Sequence, residues 1–229
     1  MQAVCEFALA PPVVIEIFRG VILGGENGFQ QNKSIFGCSR SLGCEILELP
    51  LPFITKTLGI AAISRSGVQP AHYEALIETI LMAPDYDSFI RTTNESCGVW
   101  RDICRADEIH RGEVERELNS LQKLGRYNST QLLATRLSAM LGPPGCRPKP
   151  FLIEKRFSAA LEFLQASIAK TRSGANPLKN DPGMYIDFQI LFYLADPNMF
   201  LLTKEDFSHE IRRSAQRAKI MHPEKLLVG

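Results

Sequence analysis

Four carboxylates stand where water is expected to be scarce. Glu16 is alone in an apolar stretch (Pro-Pro-Val-Val-Ile-Glu-Ile-Phe), and Asp187 is alone near the start of another (Met-Tyr-Ile-Asp-Phe-Gln-Ile-Leu-Phe). Glu205 and Asp206 follow closely on the apolar run 200–202. An ionised carboxylate on an apolar element is costly to desolvate unless a cation or a hydrogen-bond donor satisfies it. Carboxylates gathered from distant parts of a chain repel one another and become stable when they share a divalent metal ion. Each position also has a plainer reading. Asp187 suits the positive end of a helix, Glu16 suits a solvated helix position, and Asp206 suits the N-cap of a helix that starts at Phe207. The order of the acids along the chain therefore matters more than any one of them.

Other chemistries leave no comparable trace. There is no GxGxxG and no P-loop, and the Gly24-Gly25 pair lacks phosphate-loop spacing. No GxSxG elbow is present. The cysteines (Cys5, Cys38, Cys44, Cys97, Cys104, Cys146) contain no CxxC, and the histidines (His72, His110, His209, His222) contain no HxxxH, so a zinc set is not expected. Free or buried thiols in a reducing compartment are the expectation, with structural disulfides the alternative.

The elements that would position the acids can be read from periodicity. Residues 1–23 read as helical, with Pro11 and Pro12 in a first turn and Val13, Val14, Ile17, Phe18 and Val21 at helical spacing. A strand at 12–18 is the alternative. Residues 24–44 are rich in Gly, Asn, Gln and Ser and read as a loop with one short helix. Residues 44–49 alternate as a short strand does, and Pro50 and Pro52 stop it. The middle, 53–180, reads as helical. Pro70 opens a helix whose face holds Tyr73, Leu76, Ile77, Ile80 and Leu81, and Asn128 or Ser129 caps a helix running to Leu141. Residues 142–150 (Gly-Pro-Pro-Gly-Cys-Arg-Pro-Lys-Pro) form the strongest linker signal. A long helix with Phe151, Ile153 and Phe157 on its apolar face is expected next, then a loop at 172–183. An apolar helix over 184–195, a short buried strand at 200–202, an amphipathic basic helix over 207–219 and a closing strand within 220–228 complete the chain.

Composition bounds the answer further. The chain has 229 residues, 45% hydrophobic and 22% charged, as in an ordinary globular protein with a sizeable core. Its formal net charge of +1 argues against coating nucleic acid by bulk charge and leaves room for local basic patches. Residues 147–179 hold seven Lys or Arg (Arg147, Lys149, Lys155, Arg156, Lys170, Arg172, Lys179) against two acids, Glu154 and Glu162. The closing helix adds Arg212, Arg213, Arg217 and Lys219. Both groups are placed to contact phosphates, and a solvated basic face is the alternative. Residues 102–117 hold six acids and three bases, a face better suited to a protein partner. No apolar run reaches the ~18 residues that span a bilayer, and the start lacks the features of a signal peptide, so the cytoplasm is the expected compartment.

The C-terminal order is the most specific. Asp187-Phe188-Gln189-Ile190 on a helix precedes Leu201-Leu202-Thr203 on a strand, then acids, then a helix, then Ile220-Met221-His222-Pro223-Glu224. This resembles the second half of a PIN domain, the fold of a superfamily of metal-dependent nucleases. Residues 11–17 resemble the helix that bears the family's glutamate. The resemblance covers residues 10–50 and 184–228, with 53–180 an uncovered helical expansion within a single domain. It departs from the family in two places. The opening strand and its aspartate are not seen ahead of Met1, so a truncated or degenerate copy, an upstream start, or a strand at 12–18 all remain open. The strand-ending Thr-x-Asp carries Glu205, with Asp206 one residue later.

The resemblance implies a PIN-like three-layer α/β/α fold with a short, mostly parallel sheet and an enlarged helical middle. It implies a Mg²⁺- or Mn²⁺-dependent ribonuclease, a hydrolase of RNA phosphodiester bonds impaired if the first aspartate is missing. Glu16, Asp187, Glu205 and Asp206 would be the metal ligands, and Glu16, Asp187 and Thr203 the catalytic residues. Lys155, Arg156, Arg212, Arg213 and Arg217 would bind RNA. The alternative is a non-catalytic PIN-like module that binds a protein partner.

Overall fold

The computed structural model describes residues 6–61, 68–95, 98–123, 129–143, 145–170, 183–203, 207, 211 and 218–222. The architecture is α/β and mostly helical, with small parallel sheets and an enlarged helical middle. Among the described residues the strands pair as two two-stranded parallel sheets. The chain divides into two compact units, Met1–Leu49 with Arg65–His110 and Pro50–Ser64 with Arg111–Gly229. No described helix is long and apolar enough to cross a membrane.

The first unit is built on α1 (Pro11–Ser41). Pro11 and Pro12 occupy its first turn, where a missing N–H costs nothing. Residues 12–18 are therefore helical, and the opening strand β1 is Ala8–Leu9. It runs parallel to β2 (Glu45–Ile46), with Glu45 N–H donating to the Phe7 carbonyl (3.2 Å) and Leu47 N–H to that of Leu9 (3.0 Å). The loop expected at 24–44 is corrected: the chain breaks only at Gly25 (φ 57°, ψ −143°) and is otherwise helical to Ser41. A left-handed break of this kind favours glycine. The arm beyond it is helical because Phe29 and Phe36 recur seven residues apart and are both fully buried.

These rings join Val14, Phe18, Val21, Tyr73, Ile77, Ile80, Phe89 and Ile103 in one core, which draws on α1, α3 (Pro70–Met82), α4 (Tyr86–Glu95) and the first turns of α5 (Gly98–Lys123). Two bonds fasten the break to the α3–α4 corner: the Tyr86 hydroxyl donates to the Ile22 carbonyl (3.3 Å), and Tyr86 N–H donates to Glu26 Oε2 (3.2 Å). Lys33 donates to the Ala83 carbonyl that ends α3.

The two arms of α1 can fold against each other because their crossing residues are small. A Cβ built on Gly28 would lie 2.5 Å from the Gly20 carbonyl oxygen. Backbone cannot yield as a side chain can, so Gly28→Ala is expected to destabilise by about 1–3 kcal/mol in spite of alanine's better helix propensity. Gly37→Ala, with nothing within 4 Å of its new methyl, is the control. It should stabilise by about 0.5–1 kcal/mol. Urea unfolding of both variants checks the pair.

The second unit contains α2 (Pro50–Thr57), α6 (Thr130–Met140), α7 (Pro150–Arg156), α8 (Ser158–Lys170), α9 (Met184–Ile190), a 3₁₀ helix (Leu191–Ala195), β3 (Leu201–Leu202) and β4 (Ile220–Met221). Ser129 caps α6 as expected, its hydroxyl accepting from Gln131 N–H at 3.2 Å. The expected linker at 142–150 is, where described, a short and mostly exposed connection held at three points. Ser138 Oγ donates to the Pro148 carbonyl (2.6 Å), Arg147 Nε donates to that of Gly142 (3.0 Å), and Gly145 takes φ 92°. These contacts fold α7 back onto α6. The single long helix expected from residue 151 is also corrected. The chain breaks at Phe157 (φ −113°, ψ 33°), which gives α7 and α8 different buried faces. Core ring pairs link the elements, among them Phe53 with Tyr193 (4.8 Å), Phe157 with Phe192 (5.3 Å) and Phe188 with Phe192 (4.9 Å). β3 and β4 pair in parallel, Leu201 opposite Ile220 and Leu202 opposite Met221. The strand at 200–202 is present but not buried: Phe200 is 56% and Leu202 40% exposed. The loop expected at 172–183 falls, except for Gly183, outside the described residues.

Candidate functional site

Asp187 lies in the first turn of α9, where Met184, Tyr185, Ile186, Phe188, Gln189 and Ile190 are all buried and it alone is half-buried. The turn is started by Gly183, whose carbonyl accepts from Ile186 N–H (2.9 Å) and Asp187 N–H (3.0 Å). The first turn of a helix suits a negative charge, because the helix dipole is positive at that end. Thr203 follows β3 directly and is half-buried. Its N–H donates to the Met221 carbonyl at 3.0 Å, extending the ladder one residue past the carboxyl end of β3. Loops at the carboxyl ends of parallel strands are the usual ligand positions in α/β sheets.

The other expected site residues are distributed as follows. Asp187 and Thr203 share the second unit, whereas Glu16 is exposed on α1 in the first. Lys155 and Arg156 are exposed in the last turn of α7. Glu205, Asp206, Arg212, Arg213 and Arg217 lie outside the described residues. Among the described residues no three His, Cys, Asp or Glu side chains gather to hold a metal ion.

Several charged groups have structural tasks that the sequence did not reveal. Lys219, expected on a phosphate-binding helix, donates to the Leu194 carbonyl (2.6 Å) and to that of Asp196, closing the end of the 3₁₀ helix. Burial there pulls its pKa below the ordinary lysine value, against the opposing pull of Asp196. Lys219→Met should destabilise by about 1–2 kcal/mol, since two carbonyls lose a charged donor. It should leave the salt dependence of RNA binding unchanged. A flatter salt dependence would show that Lys219 meets phosphate.

In the first unit, Arg19 pairs with Asp107 at 2.6 Å, and the Asp107 side chain is only 7% exposed. One acid of the 102–117 segment, read from sequence as a face for a protein partner, is thus turned into the fold. Burial, with Asp107 adding to it, pushes the Tyr73 phenol well above its ordinary value, and burial pushes the Cys104 thiol up to about 11. Cys38, Cys44, Cys104 and Cys146 are free thiols. His72 is a helix cap, its Nδ1 accepting from Gln69 N–H at 2.9 Å.

Compared with known proteins, the chain matches no family model, no curated protein and no solved structure. The functional reading therefore rests on the residues alone.

Proposed function

We propose that the chain is a PIN-like, metal-dependent ribonuclease. What supports this reading is one arrangement in the second unit: a half-buried aspartate opening α9, then a parallel β3–β4 pair with Thr203 anchored just past the carboxyl end of β3. That is the order of parts the resemblance to PIN domains implies. Asp187, with Glu205 and Asp206, would hold Mg²⁺ or Mn²⁺, because an oxygen-only donor set suits a hard cation. Such an ion, when bound, activates water and takes up charge on the phosphodiester.

The chain's own residues do the rest. The half-buried Asp187 carboxylate supplies a negative charge among apolar neighbours. The Thr203 hydroxyl, on backbone held by Met221, orients a water or an acid. Lys155 and Arg156, with Arg212, Arg213 and Arg217, bind backbone phosphates. Manganese-dependent cleavage of RNA, compared between the wild type and Asp187→Asn, tests the proposal.

A second reading, a non-catalytic PIN-like module for a protein partner, is favoured by a separate observation. The opening strand β1 ends at Leu9, and neither Leu9 nor Ala10 after it is an aspartate of the kind that ends a PIN domain's first strand. Inactivity of both proteins in the cleavage assay would select this reading.

A further inference from the structure

We infer that the outer face of α7 is a docking ridge for single-stranded nucleic acid, with Phe151 as the stacking platform. The seven residues of this helix divide cleanly. Phe151 (59% exposed), Leu152 (36%), Lys155 and Arg156 face out, while Ile153 is fully buried. At about 100° per residue, positions 151, 155, 152 and 156 fall on one continuous arc of about 140°, with 153, 157 and 154 opposite. Each exposed apolar residue is thus one turn from an exposed cation.

The only acid on the helix, Glu154, is held toward α6, where its carboxylate accepts from the Thr130 hydroxyl at 2.5 Å. With Lys149 exposed just before the helix, three exposed cations, Lys149, Lys155 and Arg156, stand against this one half-buried carboxylate. The ridge is also held rigidly, by buried Ile153 and Phe157 and by the Ser138–Pro148 hydrogen bond.

A polyanion with free ring faces fits both features. Lysine and arginine meet phosphates, and an exposed ring stacks on a base. Paired bases in a duplex present no free face to such a ring, so the ridge selects single strands. The choice of RNA as probe rests on the nuclease reading, but binding to the ridge is read without cleavage.

The test is fluorescence anisotropy of a labelled oligo-uridine with the full chain in EDTA. Phe151→Ala should weaken binding about tenfold and Phe151→Tyr should keep it. Lys155→Ala with Arg156→Ala should flatten the log–log salt slope by about 1.4. Unchanged binding in Phe151→Ala overturns the ridge, and so does absence of binding by the wild type. So does binding to anionic phosphatidylglycerol vesicles that Phe151→Ala abolishes while RNA binding persists. If the ridge variants bind like wild type while Asp187→Asn alone abolishes cleavage, only the ridge falls. If binding depends on the ridge and nothing is cleaved, the ridge stands and the nuclease falls.

Discussion

Phe18→Ala is expected to remove about 3–5 kcal/mol of stability, the cost of deleting a fully buried aromatic from a core that cannot collapse around the gap. Phe18 is 0% exposed and touches three other rings, with centroids 4.9 Å away at Trp100, 5.5 Å at Phe89 and 6.4 Å at Phe36. These partners come from the second arm of α1, from α4 and from α5, so no one element can move into the space. Domains of this size are stable by only about 5–15 kcal/mol, so the loss is a large share of the total.

Trp100 is the sole tryptophan, and its contact with Phe18 makes its fluorescence a direct report on this core. With a urea dependence of about 1–3 kcal/mol per molar, the midpoint should fall by at least about 1 M. Phe7→Ala, at a residue 36% exposed, should shift it little. A Phe18→Ala midpoint close to wild type would show that the aromatic cluster is not the closed core of the first unit.

What could be read from the sequence was whatever depended on neighbours along the chain. The face of α3, the Ser129 cap, and the short strands near 45, 201 and 220 follow from local spacing and cap chemistry, and each is present. What could not be read depends on distant partners. Residues 26–41 have a loop-like composition in part because Gly28 and Asn32 meet Gly20 at a close crossing of two arms, and the helical signal is reduced to Phe29 and Phe36. Arg19 and Asp107 are 88 residues apart, and no spacing rule links them. The Phe157 break carries no proline or glycine, so spacing alone puts Phe151 on one apolar face with Ile153 and Phe157, whereas Phe151 is 59% exposed. The candidate site divides along the same line. Asp187 as a lone acid on an apolar helix start was legible, and the burial of its neighbours bears that out. The structural use of Lys219 was not, because its acceptors are backbone carbonyls.

If the nuclease proposal holds, Asp187→Asn should lower manganese-dependent RNA cleavage by at least about 100-fold, or about 2.7 kcal/mol of barrier. The substitution keeps the shape of the side chain and removes its charge, so a hard cation loses a ligand while α9 keeps its packing. The folding cost should be under about 1 kcal/mol, the usual size of a charge–dipole term at a helix start. Activity and folding are thereby separated.

A second readout does not depend on turnover. An ion that binds only the folded protein raises its unfolding temperature by mass action. Manganese should therefore stabilise the wild type and have little effect on Asp187→Asn. Loss of both cleavage and metal stabilisation places the charge of Asp187 at the ion. Loss of cleavage with metal stabilisation intact moves its role away from the metal, toward the substrate or a water. Equal cleavage by both proteins removes Asp187 from the chemistry and takes the proposal with it. In that case the aspartate is left with the task its position alone would give it, a negative charge at the positive end of a short buried helix.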